Sequence, residues 1–179
     1  MSAFRFVQQL KDDGYLHESA SSLELVRRAH LFLRWESSSD NPVREIPMRF
    51  RLPGEPGQQL GKVLSSGPAC LALFAAADAL KLGFVKGVPP HVYVERVQLS
   101  RLAAWKNLRP CEVGEPPDIF LRQAPVPNSI FRGMVNANGL AAADVLQVWL
   151  DVASYPARGR EQADLIRQRV LNPIINKGA

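Results

Sequence analysis

The spacing of apolar residues along this chain shifts repeatedly between a period of about 3.6 and a period of 2, so the chain cannot be all helix or all sheet. Over residues 3–13, Phe4, Val7 and Leu10 recur at helical spacing, with Arg5, Gln8, Gln9 and Lys11 on the other side. Gly14 follows Asp13, where a left-handed helix cap belongs. Two short apolar arms, 15–17 and 23–26, flank the polar tip 18–22 and predict a hairpin. A helix, a glycine and a hairpin in this order form the back half of a winged helix-turn-helix. A second helix is expected over residues 28–36, and the Ser, Asp, Asn and Pro residues of 37–42 mark a domain boundary.

Beyond the boundary the alternation continues. Residues 48–52 alternate as a strand, 53–57 read as a loop, and Ser65 or Ser66 is expected to cap a helix running from about Pro68 to Leu82. Residues 92–94, 118–121 and 129–131 read as strands, and 100–107 as a helix. From Leu140 the pattern is helical, with Val145, Val148, Trp149 and Val152 together, and a break at 155–157 precedes a last helix over 160–170. The expected fold is therefore mixed α/β (α+β): a partial winged helix over residues 1–36, then an α/β domain over 43–179 that ends in two helices.

Composition narrows the function classes. The longest apolar stretch, residues 69–82, is too short to span a bilayer and contains Asp78, so no membrane association is expected. The first residues lack the layout of a secretory signal, and Cys70 and Cys111 form neither a metal motif nor a disulfide framework, so a cytoplasmic location is expected. His17, His30 and His91 are scattered, and no phosphate loop, dinucleotide fingerprint or nucleophile elbow is present. No metal, cofactor or enzymatic activity is expected. Pro117-Asp118 before a strand resembles the entry to a nuclease metal site, but the neighbouring Ser129-Ile130-Phe131-Arg132 supplies no acid–lysine pair. The net charge of +5, carried largely by arginine, suits phosphate oxygens and base edges but is also ordinary for a globular protein.

Two segments together resemble a known bacterial family. Residues 144–151, DVLQVWLD, followed by 158–163, RGREQA, are similar to the C-terminal signature of AbiEi-type regulators, the antitoxins of type IV toxin–antitoxin and abortive-infection systems. The helix, Gly14-Tyr15-Leu16, hairpin and Leu33-Arg34-Trp35 order fits the same family, as do the start at Ser66-Gly67-Pro68 and the strand at His91-Val92-Tyr93-Val94. The resemblance implies a transcriptional regulator that represses its own operon through DNA, with a functional link to a nucleotidyltransferase-like toxin. Trp149 stands where the signature more often has Tyr, and the wing is short with little positive charge. The chain opens at the helix read as the recognition helix, so the earlier helices of such a domain are expected to be missing and binding by this chain alone to be weak.

Within that reading, Arg5, Gln8 and Gln9 are the candidate base-contacting residues, because Arg pairs with guanine and Gln with adenine in the major groove. Ser2 and Lys11 are the phosphate candidates from the same helix, His17 those from the wing, and Arg27 and Arg28 those that follow it. The plain alternative is a solvated helix face and a surface hairpin. Gln147, Asp151, Arg158, Gly159, Arg160 and Glu161 carry the C-terminal signature and are expected to be architectural, Asp151 pairing with Arg158 or Arg160 at the corner between the last two helices. The runner-up function is a protein-interaction or ligand-sensing module derived from such a regulator. Nothing in the sequence specifies an oligomeric state.

Overall fold

The structure, a computed structural model, describes residues 3–38, 43–65, 67–97 and 107–176. The chain forms the mixed α/β fold that its alternating periods predict. It divides into two compact units, Met1–Asn41 with Arg167–Ala179, and Pro42–Ile166. The end of the chain therefore groups with the N-terminal unit, not with the α/β domain to which the linear reading assigned it.

In the first unit, helix α1 (Ala3–Asp12) ends in a Schellman turn: Gly14 N donates to Lys11 O, Tyr15 N donates to Leu10 O, and Gly14 takes φ 71°. Strands β1 (Leu16–Glu18) and β2 (Leu23–Leu25) pair antiparallel, with His17 opposite Glu24. Helix α2 (Arg28–Ser38) follows. Tyr15 is buried, stacks on His30 at 5.7 Å and shares a 2.7 Å hydrogen bond with its Nδ1. A π-helical turn, Arg167–Leu171, and the short helix α8 (Asn172–Ile175) complete the unit. There Arg28 donates to Ile174 O and the Arg167 guanidinium lies over Phe32.

The second unit is built on a seven-stranded mixed sheet in the order β6-β3-β7-β5-β4-β9-β8. Its strands are β3 (Glu45–Phe50), β4 (Ala69–Ala72), β5 (His91–Val94), β6 (Leu108–Pro110), β7 (Ile119–Gln123), β8 (Val135–Ala137) and β9 (Leu140–Ala142). Its helices are α3 (Pro56–Ser65), α4 (Leu73–Ala79), α5 (Pro127–Gly133), α6 (Val145–Ala153) and α7 (Gly159–Ile166). Asp144 caps α6, its carboxylate accepting from Leu146 N and Gln147 N. No helix among the described residues is long and apolar enough to cross a membrane.

Several elements differ from the sequence reading. The helix expected from Pro68 to Leu82 is instead strand β4 followed by α4. All four residues of β4 are buried, and a strand covered on both faces reads as a continuous apolar run that periodicity cannot separate from a helix. Part of the loop expected at 53–57 belongs to α3, which begins at Pro56. Residues 129–131 lie in α5 rather than a strand, because Pro127 at the first helical position presets the helical φ. Residues 140–142 are strand β9. Asn138 and Gly139, at φ 55° and 86°, form the two-residue turn that joins it to β8. The helix expected at 100–107 falls outside the described residues except at Asn107.

Candidate functional site

Helix α1 packs only in part as its apolar spacing predicts. Phe4, placed on the inner face with Val7 and Leu10, is 77% exposed. Val7 and Leu10 are half-buried, while Phe6, 55% exposed, and the exposed Gln9 border, with Leu10 and Asp13, a groove of about 370 Å³ completed by Leu25, Leu31, Arg34 and Trp35. Gln9 thus borders an apolar groove rather than standing in the middle of a polar stripe. Arg5, Gln8 and Asp12 share the solvent-exposed stripe, and Gln8 Nε2 donates to Asp12 Oδ1 at 2.9 Å.

The other N-terminal candidates mostly have protein partners. Lys11 pairs with Glu18 at the end of β1. His17 is exposed on β1, opposite Glu24. Arg27, in the left-handed region at φ 52°, lays its guanidinium over the Tyr15 ring at 5.4 Å. Arg28 donates to Leu25 O at 2.9 Å as well as to Ile174 O. Ser2 lies outside the described residues. Of the cationic candidates, Arg5 is the one on the outer stripe of α1.

Residues 144–163 form two structural devices. Arg158 does not pair with Asp151: its Nε donates to Glu161 Oε2 at 3.1 Å on the surface, and its guanidinium lies 4.9 Å from the Phe84 ring centre. Arg160 is exposed. The corner between α6 and α7 depends on Gly159, where a Cβ would lie 2.3 Å from Val152 O and 3.1 Å from Tyr155 Cβ. Gln162, fully buried, holds the segment after α4 by donating to Leu82 O at 2.8 Å and accepting from Phe84 N at 3.1 Å.

Asp151 belongs to a buried charge cluster that the linear sequence does not reveal. Strand register sets Glu45 of β3 beside Arg122 of β7, Arg122 beside Tyr93 of β5, and Tyr93 beside Cys70 of β4. Helix α6 covers this row. Asp151 Oδ1 accepts from Tyr93 Oη at 2.7 Å and from Gln147 Nε2 at 3.0 Å, and it lies 3.7 Å from Arg122. Arg122 also donates to Glu45 Oε1 at 2.7 Å. Two residues along β5, His91 stacks on Phe120 at 4.5 Å and meets the Tyr155 ring edge-on. Burial pushes the Asp151 carboxyl up to about 6 against the opposing pull of Arg122, and pushes the Cys70 thiol up to about 12. Burial, then the Arg122 charge, hold the His91 imidazole down to about 4.

At the other end of the sheet, Asp118 Oδ2 accepts from Phe50 N at 3.0 Å and lies 3.4 Å from Arg49 Nε, so this carboxylate ties β3 to the start of β7. Glu115 sits between Arg109 and Arg49, which hold its carboxyl well down, at about 2. Among the described residues, no group of three or more His, Cys, Asp or Glu side chains is placed to hold a metal ion. No protein-family model matches the chain, nor does any curated protein or solved structure.

Proposed function

We propose that this chain is a DNA-binding transcriptional regulator of the AbiEi type, reading its own operator through α1 and acting without hydrolytic chemistry. One observation carries the reading. The Schellman turn at Gly14 joins α1 to the β1–β2 hairpin and leaves Arg5 and Gln8 together on the solvent side of the helix. A helix entering the major groove needs that geometry, with an Arg to take guanine and a Gln to take adenine. The resemblance over residues 144–163 supports the same reading, and with it a link to a nucleotidyltransferase-like toxin.

The test is a titration of the full chain against labelled promoter DNA of its own operon at two salt concentrations. Arg5→Ala should weaken operator binding by roughly 1–3 kcal/mol and relax specificity at one base position. Lys11 must leave Glu18 to reach a phosphate, so Lys11→Ala should weaken all sequences about equally and by less than Arg5→Ala does. Operator binding untouched by Arg5→Ala would overturn the assignment of α1.

The proposal also excludes nuclease activity, since the Asp118 carboxylate is engaged by the Phe50 amide and Arg49. Plasmid DNA incubated with the protein and Mg²⁺ or Mn²⁺ should stay supercoiled. Nicking that disappears in Asp118→Ala would refute this. A second reading, a protein-interaction module, is favoured by the groove bordered by Phe6, Leu10, Leu25, Leu31 and Trp35. Failure to bind DNA at any salt would leave that reading in place.

A further inference from the structure

Three buried polar atoms of the charge cluster have no hydrogen-bond partner: His91 Nε2, Arg122 Nε and Asp151 Oδ2. Unsatisfied polar atoms are costly in an interior, so a molecule that satisfies them gains what the fold otherwise loses. His91 is the informative one. Its side chain is 2% exposed, and its Nδ1 lies 3.1 Å from Pro89 O. A carbonyl oxygen can only accept, so Nδ1 carries the hydrogen and Nε2 of the neutral ring presents a bare lone pair. That lone pair lies 4.0 Å from Glu45 Oε2, which is also an acceptor.

Two acceptors at that separation cannot bond to each other, and the ring is held neutral by burial and by Arg122. Hydrogen bonds of about 2.8 Å from one shared donor to both atoms would meet at roughly 90°, an angle that water or a tetrahedral cation supplies. We propose that His91 Nε2 and Glu45 Oε2 form a binding site for one small hydrogen-bond donor, water or the ammonium ion, at the rim of the buried cluster. Glu45 is 29% exposed, and Tyr155 packs edge-on against the His91 ring, so the site is reached from the Glu45 side. With Arg122 offset by Asp151, the Glu45 charge remains, which gives ammonium an electrostatic reason to bind.

The experiment is a long-range ¹H–¹⁵N correlation on the imidazoles of the ¹⁵N-labelled full chain at pH 7, titrated with ammonium chloride and, in parallel, sodium chloride. His91→Gln identifies the His91 signals. The proposal expects an Nδ1–H tautomer whose Nε2 resonance is displaced from the free-lone-pair position toward the hydrogen-bonded one. Displacement that is present in sodium chloride and unchanged by ammonium, with a cross-peak from the ring to water, identifies water as the occupant. Displacement that saturates with ammonium but not sodium identifies the cation. In Glu45→Gln the side-chain amide can donate to Nε2 directly, so any ammonium response should be lost. An Nε2 that carries hydrogen at pH 7, or one at the free-lone-pair position in both salts, overturns the proposal, and the wild-type spectrum alone decides between these results.

Discussion

Arg122→Met should destabilise the full chain by about 3–5 kcal/mol, measured as the shift in urea unfolding at pH 7, because it removes one partner of a buried ion pair and strands the other. The Arg122 side chain is 9% exposed and lies against Asp151, 5% exposed, and Glu45. Methionine fills much of the same volume, so the loss measured is chiefly electrostatic. The variant should also change the pH dependence. The folded-state carboxyl of Asp151, at about 6, lies above its ordinary value of 3.8, so the folded protein binds this proton more tightly than the unfolded chain does. Asp151 therefore favours folding below about pH 4 and progressively less as the pH rises through 6. Arg122 opposes that upward push, so removing it should raise the carboxyl further and steepen the gain in stability on acidification. The deficit of Arg122→Met relative to wild type should be smaller at pH 5 than at pH 7. His91 works in the opposite sense: held at about 4, it contributes stability above pH 6.5 that is lost as pH falls toward 4. The comparison is therefore made between variant and wild type at each pH rather than along one curve. Equal unfolding midpoints for the two proteins at pH 7 would show that the cluster contributes nothing to stability.

Gly159→Ala should cost about 3 kcal/mol, at the upper end of the usual range for overpacking. The added Cβ would meet the Val152 carbonyl oxygen at 2.3 Å and Tyr155 Cβ at 3.1 Å. Neither neighbour can turn away, because one is backbone and the other is the first atom of its side chain. Helices α6 and α7 would have to separate, disturbing the Gln162 bonds that hold Leu82 and Phe84. Gly61→Ala is the internal control. Gly61 lies within α3, and nothing lies within 4 Å of its Cβ position, so alanine there should stabilise by about 0.5–1 kcal/mol through helix propensity. If the two substitutions had similar effects, the close approach at Gly159 would not be what sets the corner.

Local patterns were legible where one residue type carries the physics. Gly14 predicts its left-handed cap, Leu16 and Leu25 their hairpin, and Val148, Trp149 and Val152 the buried stripe of α6. The same logic failed where two structures share one pattern. The apolar residues of 69–82 serve a doubly covered strand and then a helix. The Asn138-Gly139 turn is hidden in the sequence because the apolar positions that follow it also suit a helix.

Phe4 is exposed although it shares the apolar side of α1 with Val7 and Leu10, because periodicity identifies an apolar side of a helix but not what the rest of the chain covers. The sequence leads to an architectural role for Asp151 with a partner among the nearby Arg158 and Arg160. The arginine that holds it, Arg122, lies 29 positions earlier on β7 and is aligned with Tyr93 and Glu45 only by strand register. The sequence by itself determined the mixed class, the helix–glycine–hairpin order and the end of α1 that Gly14 caps, because these depend on neighbours within a turn or two. Tertiary structure alone decided which charges meet in the interior and why residue 159 has no room for a side chain. Those outcomes are set by pairing between strands and contact between helices, where distance along the chain has no bearing on distance in space.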